Sequence, residues 1–324
     1  MGLKDTIIST MNELGQKRKP FLFIVDFKGE NAIIKPLDNL NNNEISFCFN
    51  GVSNTKDTLN ISNFNIDCNV FPISFEQYKS QFDKVYQQIE RGNTYLLNLT
   101  LKTPIKLTAS LQDVYYTSKA KYKLYIKDKF VCFSPEIFVQ IKNNTILSFP
   151  MKGTINANLP NAEQTLLNDS KEIAEHYTIV DLIRNDLNIV AKKVKVDRFR
   201  YVDKIESAKG AIFQTSSQIS GKLSANWHNH IGDIFSKLLP AGSVTGSPKE
   251  STVNIIENTE TYHRKYYTGI GGIYDGSSID SAVLIRFIEK ENDNYFYKSG
   301  GGITFSSDVK KEYEELLQKI YIPY

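Results

Sequence analysis

Residues 150–154 read PMKGT, with one lysine, Lys152, set between Met151 and Gly153 just after an apolar run. A lysine amine in partly apolar surroundings can act as a nucleophile toward an electrophilic carbon. Upstream, SPE at residues 134–136 puts the Glu136 carboxyl at the start of a strand, where it could deliver a proton as a general acid. Two pairs of glutamates are spaced three apart, Glu172 with Glu175 and Glu312 with Glu315. On a helix that spacing sets both carboxylates on one face, and two such faces turned together would offer the hard oxygen ligands that Mg2+ takes. Two glycine-bearing elements could hold an anion. PAGSVTGSPKE, residues 240–250, feeds a helix start whose free N–H groups suit negative charge, and Gly300, Gly301 and Gly302 let a ligand approach bare backbone.

Each feature also has an ordinary structural reading. Read locally, Lys152 is more readily a surface lysine with its stem laid over apolar neighbours, and Glu136 a strand-edge carboxylate. The glutamate pairs read as solvated helix faces. A nucleotide-binding loop is the poorer reading of residues 240–250, because Gly242, Gly246 and Lys249 miss the G-x-x-x-x-G-K-[ST] spacing and Pro248 interrupts it.

The elements that must carry these residues are legible from periodicity. Phe21 to Phe27, Tyr122 to Ile126 and Glu136 to Ile141 are short β-branched and aromatic runs bounded by breakers, and predict strands. Ser74 and Gln77 form a capping box before a helix whose apolar face runs from Phe75 to Ile89 and which Gly92 ends. That helix feeds a strand over Thr94 to Lys102. Asp169 or Ser170 caps a helix to Leu187, and Ser247 is expected to cap another, with Pro248 first and Glu250 closing the box. Strands over Ser281 to Ile288 and Tyr295 to Lys298 precede the glycine run and a last helix from Asp308 to Ile320. No linker or repeat divides the chain, so the fold class expected is α+β, sheets packed under helices in a single domain over residues 1–324.

Composition narrows the partners. With 324 residues, 41% of them hydrophobic, the chain can bury a large core. A formal charge of +3, from 39 Lys and Arg against 36 Asp and Glu, gives no electrostatic case for nucleic acid. Cys48, Cys68 and Cys132 show neither disulfide nor zinc spacing, and no stretch approaches the length needed to span a bilayer, so a reducing cytoplasm is expected.

Taken in order, SPE at 134–136, PMKGT at 150–154, KEIAEH and VDLIRNDL between 171 and 187, PAGSVTGSPK at 240–249, and GGGI with EYEE between 300 and 315 resemble the chorismate-utilising enzymes. That family includes anthranilate, aminodeoxychorismate, isochorismate and salicylate synthases. The resemblance spans residues 74–320, leaving 1–73 as a shortened N-terminal sheet region. It implies helices around two sheets, with magnesium and chorismate held in a cleft between them. By position, Glu175 and Glu315 resemble the metal ligands, with Glu172 and Glu312 beside them. Thr154, Gly153, Ser243, Tyr267, Arg286, Lys319 and the amides of Gly300, Gly301 and Gly302 resemble the groups that grip the substrate.

Within the family, lysine at position 152 resembles the aminodeoxychorismate synthases, whereas anthranilate synthases typically carry alanine there. The resemblance implies covalent attack by Lys152, with Glu136 as the acid, and amination to 4-amino-4-deoxychorismate for 4-aminobenzoate and folate synthesis. Isochorismate and salicylate synthases use a water-activating lysine where this chain has Leu96. No cysteine lies in a GxCxG setting, so ammonia is expected from a separate glutamine amidotransferase subunit or from free ammonium. Gln214 stands where many relatives have histidine, which keeps open a non-catalytic chorismate-binding or regulatory protein beside the alternative of anthranilate synthase.

Overall fold

The run FLFIV shows how the core is assembled. In strand Phe21–Val25 all five side chains are buried, Phe21, Phe23 and Val25 in one apolar cluster and Leu22 and Ile24 in another. A strand apolar on both faces must lie between two layers. The structure is a computed structural model that describes residues 2–55, 66–207 and 210–323. It contains two nine-stranded antiparallel sheets.

The first sheet runs, in order, through strands Met151–Asn156, Gly210–Lys222, Thr145–Ser148, Ile137–Lys142, Ile279–Val283, Ile270–Tyr274, Phe21–Val25 and Ala32–Pro36, with Lys192–Ser207 also paired to Gly210–Lys222. The second runs through Gly246–Ser247, Leu96–Leu107, Asn294–Thr304, Phe287–Glu291, Phe130–Ser134, Tyr122–Ile126, Ile45–Phe49 and Val52–Ser53, with Cys68–Val70 on the far part of Leu96–Leu107. Leu22, Ile24 and Ile273 from the first sheet meet Phe47, Leu124 and Phe287 from the second in one buried cluster. Each such side chain contributes about 1.5–3 kcal/mol when fully buried, so this inter-sheet cluster is what holds the layers together.

Helices cover the outer faces. Asp5–Gln16, Ser170–Val190 and Ile231–Leu238 pack on the first sheet through Met11, Val180 and Phe235. Phe75–Glu90, Lys249–Thr259 and Val309–Gln318 pack on the second through Phe82, Val253 and Leu316. The Ser74–Gln77 capping box and the Asp169 and Asp308 caps are formed.

Three expectations are corrected. Ser247 does not cap, because it is drawn into a short strand against Leu96 and its carbonyl accepts from Tyr95 N, so the helix begins at Lys249 with Pro248 before it. The strand expected over Ser281 to Ile288 is broken between Val283 and Phe287, where Arg286 takes a left-handed φ of 53°. The strand expected to end at Lys298 runs on through the glycines to Thr304, with Gly300, Gly301 and Gly302 opposite Thr100, Leu99 and Asn98. Thr100 and Leu99 crowd Gly300, since a Cβ there would lie 2.5 Å from Thr100 Cγ2 and 2.7 Å from Leu99 O.

Candidate active site

One cavity of about 710 Å3 opens between the Lys152 edge of the first sheet, the Leu96 and Gly302 strands of the second, and helices Ser170–Val190 and Val309–Gln318. It collects nearly every residue singled out from the sequence. Glu136, Lys152, Gly153, Thr154, Glu172, Glu175, Ser243, Tyr267, Arg286, Gly300, Gly302, Glu312, Glu315 and Lys319 all line it. Gly301 does not: it is paired with Leu99 and turns its amide and carbonyl to strand Leu96–Leu107, although a Cβ there would lie 3.4 Å from Glu312 Oε2. The Gly300 carbonyl accepts from Lys319 Nζ at 2.9 Å, so its polar groups face away from strand Leu96–Leu107. By the alternation of an antiparallel ladder, Gly302 turns its amide to the same side.

Lys152 is aimed by a bulge. The pairing of Met151–Asn156 with Gly210–Lys222 shifts between Lys152 and Thr154, and Gly153 fills the extra position with φ 77°. A side chain at 153 would suffer twice, from that φ and from Glu172 Oε2, which would lie 2.9 Å from its Cβ. Thr215 Oγ1 donates to the Lys152 carbonyl and fixes the strand beneath. The amine reaches the cavity, where Nζ donates to Glu175 Oε2 at 3.1 Å and lies 3.8 Å from where a Cβ on Gly302 would be.

Glu136 lies at the deep end. Its backbone is tied to Ser134 Oγ and Val283 N, and Ser243 Oγ donates to its carboxylate. Burial raises its pKa above the usual carboxylate range, against the opposing pull of the Ser243 hydrogen bond and the charges of Arg286, Lys152 and Lys319. A carboxyl so held keeps its proton to higher pH, as a general acid requires. Arg286 and the fully enclosed Tyr267 stand beside it, each within reach of the other's charge. Among the described residues Arg286 has no ion-pair partner, although it lines the cavity, and a half-buried guanidinium so placed favours an anionic ligand.

The glutamates gather at the mouth. Burial and the neighbouring charge of Glu175 raise the pKa of Glu172, and burial raises that of Glu312 with Glu315 adding to it. At Glu315, burial is outweighed by Lys319, whose Nζ lies 2.8 Å away, and the carboxyl is held below its usual range. Burial would depress Lys171, but the charges of Glu175, Glu312 and Glu172 raise it, so one ammonium feels carboxylates from both helices. Among the described residues no three acidic, histidine or cysteine side chains converge closely enough to hold a metal as they stand. The donor set nevertheless fits a hard divalent ion: four carboxylates, two with raised pKa, turned into one cavity with only lysines to offset them.

Other lining residues were not anticipated. Asn98 faces the cavity two positions after Leu96 on the same strand, a spacing that could have found it. Lys171 sits one position before the first glutamate pair, and Tyr321 follows the last helix with no local signal. Leu96 presents an apolar wall at the position where a water-activating lysine was considered, and Gln214 lies opposite Thr154.

Similarity to known proteins agrees with this geometry. An uncharacterized PabA-like protein of Haemophilus influenzae is 49% identical over 316 residues, 98% of this chain and 96% of its own length. Aminodeoxychorismate synthase component 1 of Bacillus subtilis is 29% identical over 265 residues, 77% of this chain and 55% of that protein, so the chain matches only about half of it. The crystal structure of anthranilate synthase component I from Streptococcus pneumoniae superposes with a TM-score of 0.67 at 26% identity, covering 79% of this chain and 59% of the other. The model of the chorismate binding enzymes matches residues 38–323, beginning well before residue 74, and the chain belongs to that family.

Proposed function

We propose that the chain is an aminodeoxychorismate synthase component I, converting chorismate and ammonia to 4-amino-4-deoxychorismate. The observation that carries this reading is the Lys152 amine inside the cavity, set on a bulge and directed past Gly302. The Lys152 nitrogen, as the neutral amine, attacks the second ring carbon, both ring double bonds shift by one position, and the bond from the fourth carbon to its hydroxyl breaks. Glu136 supplies the proton with which that hydroxyl leaves as water. Ammonia then adds at the fourth carbon, both double bonds return, Lys152 leaves as its amine, and the Glu136 carboxylate takes up the proton that the added ammonia releases. Two easier displacements replace one difficult one.

Arg286, Tyr267, Ser243, Thr154 and Lys319, with the backbone of Gly153, Gly300 and Gly302, bind and orient the two substrate carboxylates. Glu175 and Glu315 would hold Mg2+, with Glu172 and Glu312 beside them. The ion supplies neutralisation of a carboxylate and a fixed ring orientation. Ammonia comes from a separate glutamine amidotransferase subunit, a role the thiols here do not favour, since burial pushes both Cys68 and Cys132 up. No helix among the described residues is long and apolar enough to cross a membrane, in keeping with a cytoplasmic reaction.

The test is product identification. The purified chain, incubated with chorismate, ammonium and Mg2+ and then with a lyase that aromatises aminodeoxychorismate, is expected to give 4-aminobenzoate. Lys152→Ala is expected to reduce it by at least about 10²-fold. Anthranilate as the main product would replace this reading with an anthranilate synthase. No turnover at all, with chorismate still bound, would leave a binding or regulatory protein.

A further inference from the structure

The side chain that holds Arg286 lies in no motif of the sequence. Arg286 leaves the broken strand with a left-handed backbone and carries its guanidinium into the cavity. Its Nε donates to Tyr321 Oη at 3.4 Å, and the guanidinium lies 5.4 Å from the Tyr321 ring centroid. That is within the range of a cation–π contact. These are the hydrogen bond and ring contact that the guanidinium makes among the described residues, and both leave its terminal nitrogens for a ligand.

Tyr321 is itself held firmly. Its carbonyl accepts from the hydroxyl of Tyr297, which is fully buried, and Ile322 beyond it packs into the cluster of Ile105, Val131 and Tyr297. The Pro323 carbonyl accepts from Lys119 N at 2.7 Å. The segment after helix Val309–Gln318 is therefore clamped to the second sheet on both sides of Tyr321.

We propose that Tyr321 is a positioning residue for substrate binding, setting the orientation in which Arg286 meets a carboxylate. The inference rests on the reading of the cavity as a chorismate site. An arginine free to rotate loses the bidentate geometry that makes it better than a point charge. Tyr321 acts through ground-state and transition-state binding alike, and its loss should appear in KM more than in kcat.

A double-mutant cycle tests this, read as the dissociation constant of chorismate by titration calorimetry and as KM and kcat. Tyr321→Ala is expected to raise Kd and KM about tenfold and to change kcat by less than about threefold. Tyr321→Phe, which keeps the ring, should recover most of the loss. In an Arg286→Ala background Tyr321→Ala should add less than about twofold. Equal cost in both backgrounds, or loss confined to kcat, overturns the proposal. Should the alanine variant not fold, Tyr321→Leu replaces it with the same expectations. Benzoate binding, followed by ligand-observed NMR, separates the two readings. If wild type binds benzoate but not chorismate, and the cycle still shows coupling, the positioning role stands without the chorismate reading. If chorismate binds and the cycle shows no coupling, the positioning role alone falls, and if neither ligand binds, both fall.

Discussion

Lys152 Nζ and Glu175 Oε2 lie 3.1 Å apart, joining the lysine on the edge strand of one sheet to a glutamate on helix Ser170–Val190. Lys171 approaches the other oxygen of the same carboxylate at 3.6 Å. Without a divalent ion, these two ammonium groups are what offset Glu175.

Lys152 and the proposed Mg2+ therefore compete for one carboxylate. Lys152→Ala is expected to bind Mg2+ about three- to tenfold more tightly than wild type in the absence of substrate. Glu175→Gln and Glu315→Gln should each weaken it by about tenfold or more, whereas Glu314→Gln, in the same cavity but outside the pairs, should change it by less than about twofold. Titration calorimetry with MgCl2 reads all four. Weaker Mg2+ binding by Lys152→Ala would show that the lysine does not oppose the ion.

The environment of Glu136 sets a pH dependence with a definite sign. A free glutamic acid ionises near about pH 4.3, and burial raises Glu136 above that. The acid form is the one that donates, so activity that depends on it is present below the raised pKa and lost as the pH climbs through it. A falling limb of kcat/KM above about pH 4.3 should belong to Glu136. The Ser243 hydrogen bond opposes the shift, so Ser243→Ala should move that limb to higher pH. Glu136→Gln should abolish the limb and lower kcat by about 10²–10⁴-fold. A limb that moves to lower pH in Ser243→Ala contradicts the assignment.

Much of this site could be read along the chain, for a physical reason. Helical and strand periods are local, so the faces bearing Glu172 with Glu175 and Glu312 with Glu315 followed from spacing, and so did the Ser74 and Asp169 caps. What failed depended on partners far away in sequence. Ser247 has the side chain of a cap but is claimed by Leu96 and Tyr95, and the strand ending at Lys298 is carried on through the glycines by its pairing with residues 98–100. Lys152 read locally as a surface lysine, and only the order of the surrounding motifs turned it inward. Tyr321 had neither period nor motif, and its place comes from the buried hydroxyl of Tyr297 and the second sheet.

The pair Glu260 and Arg264 is another long-range device. Both side chains are 2% exposed, and they meet through Nη2 to Oε1 at 2.6 Å and Nε to Oε2 at 2.9 Å. Glu260 Oε1 also accepts from Thr100 N and Oγ1, while Arg264 donates to the carbonyls of Asn98 and Val244. The pair thus ties the strand carrying Leu96 and Asn98 to the turn carrying Ser243, two walls of the cavity. Arg264→Ala is expected to cost about 3–5 kcal/mol of unfolding free energy, because it strands a buried carboxylate. Glu260→Ala should cost a similar amount. Replacing both by methionine should cost less than either single change, since no charge is then left unpaired in the interior. Urea unfolding followed by circular dichroism measures all three. A double variant less stable than both single variants would mean that the pair contributes net attraction rather than alignment of the two walls.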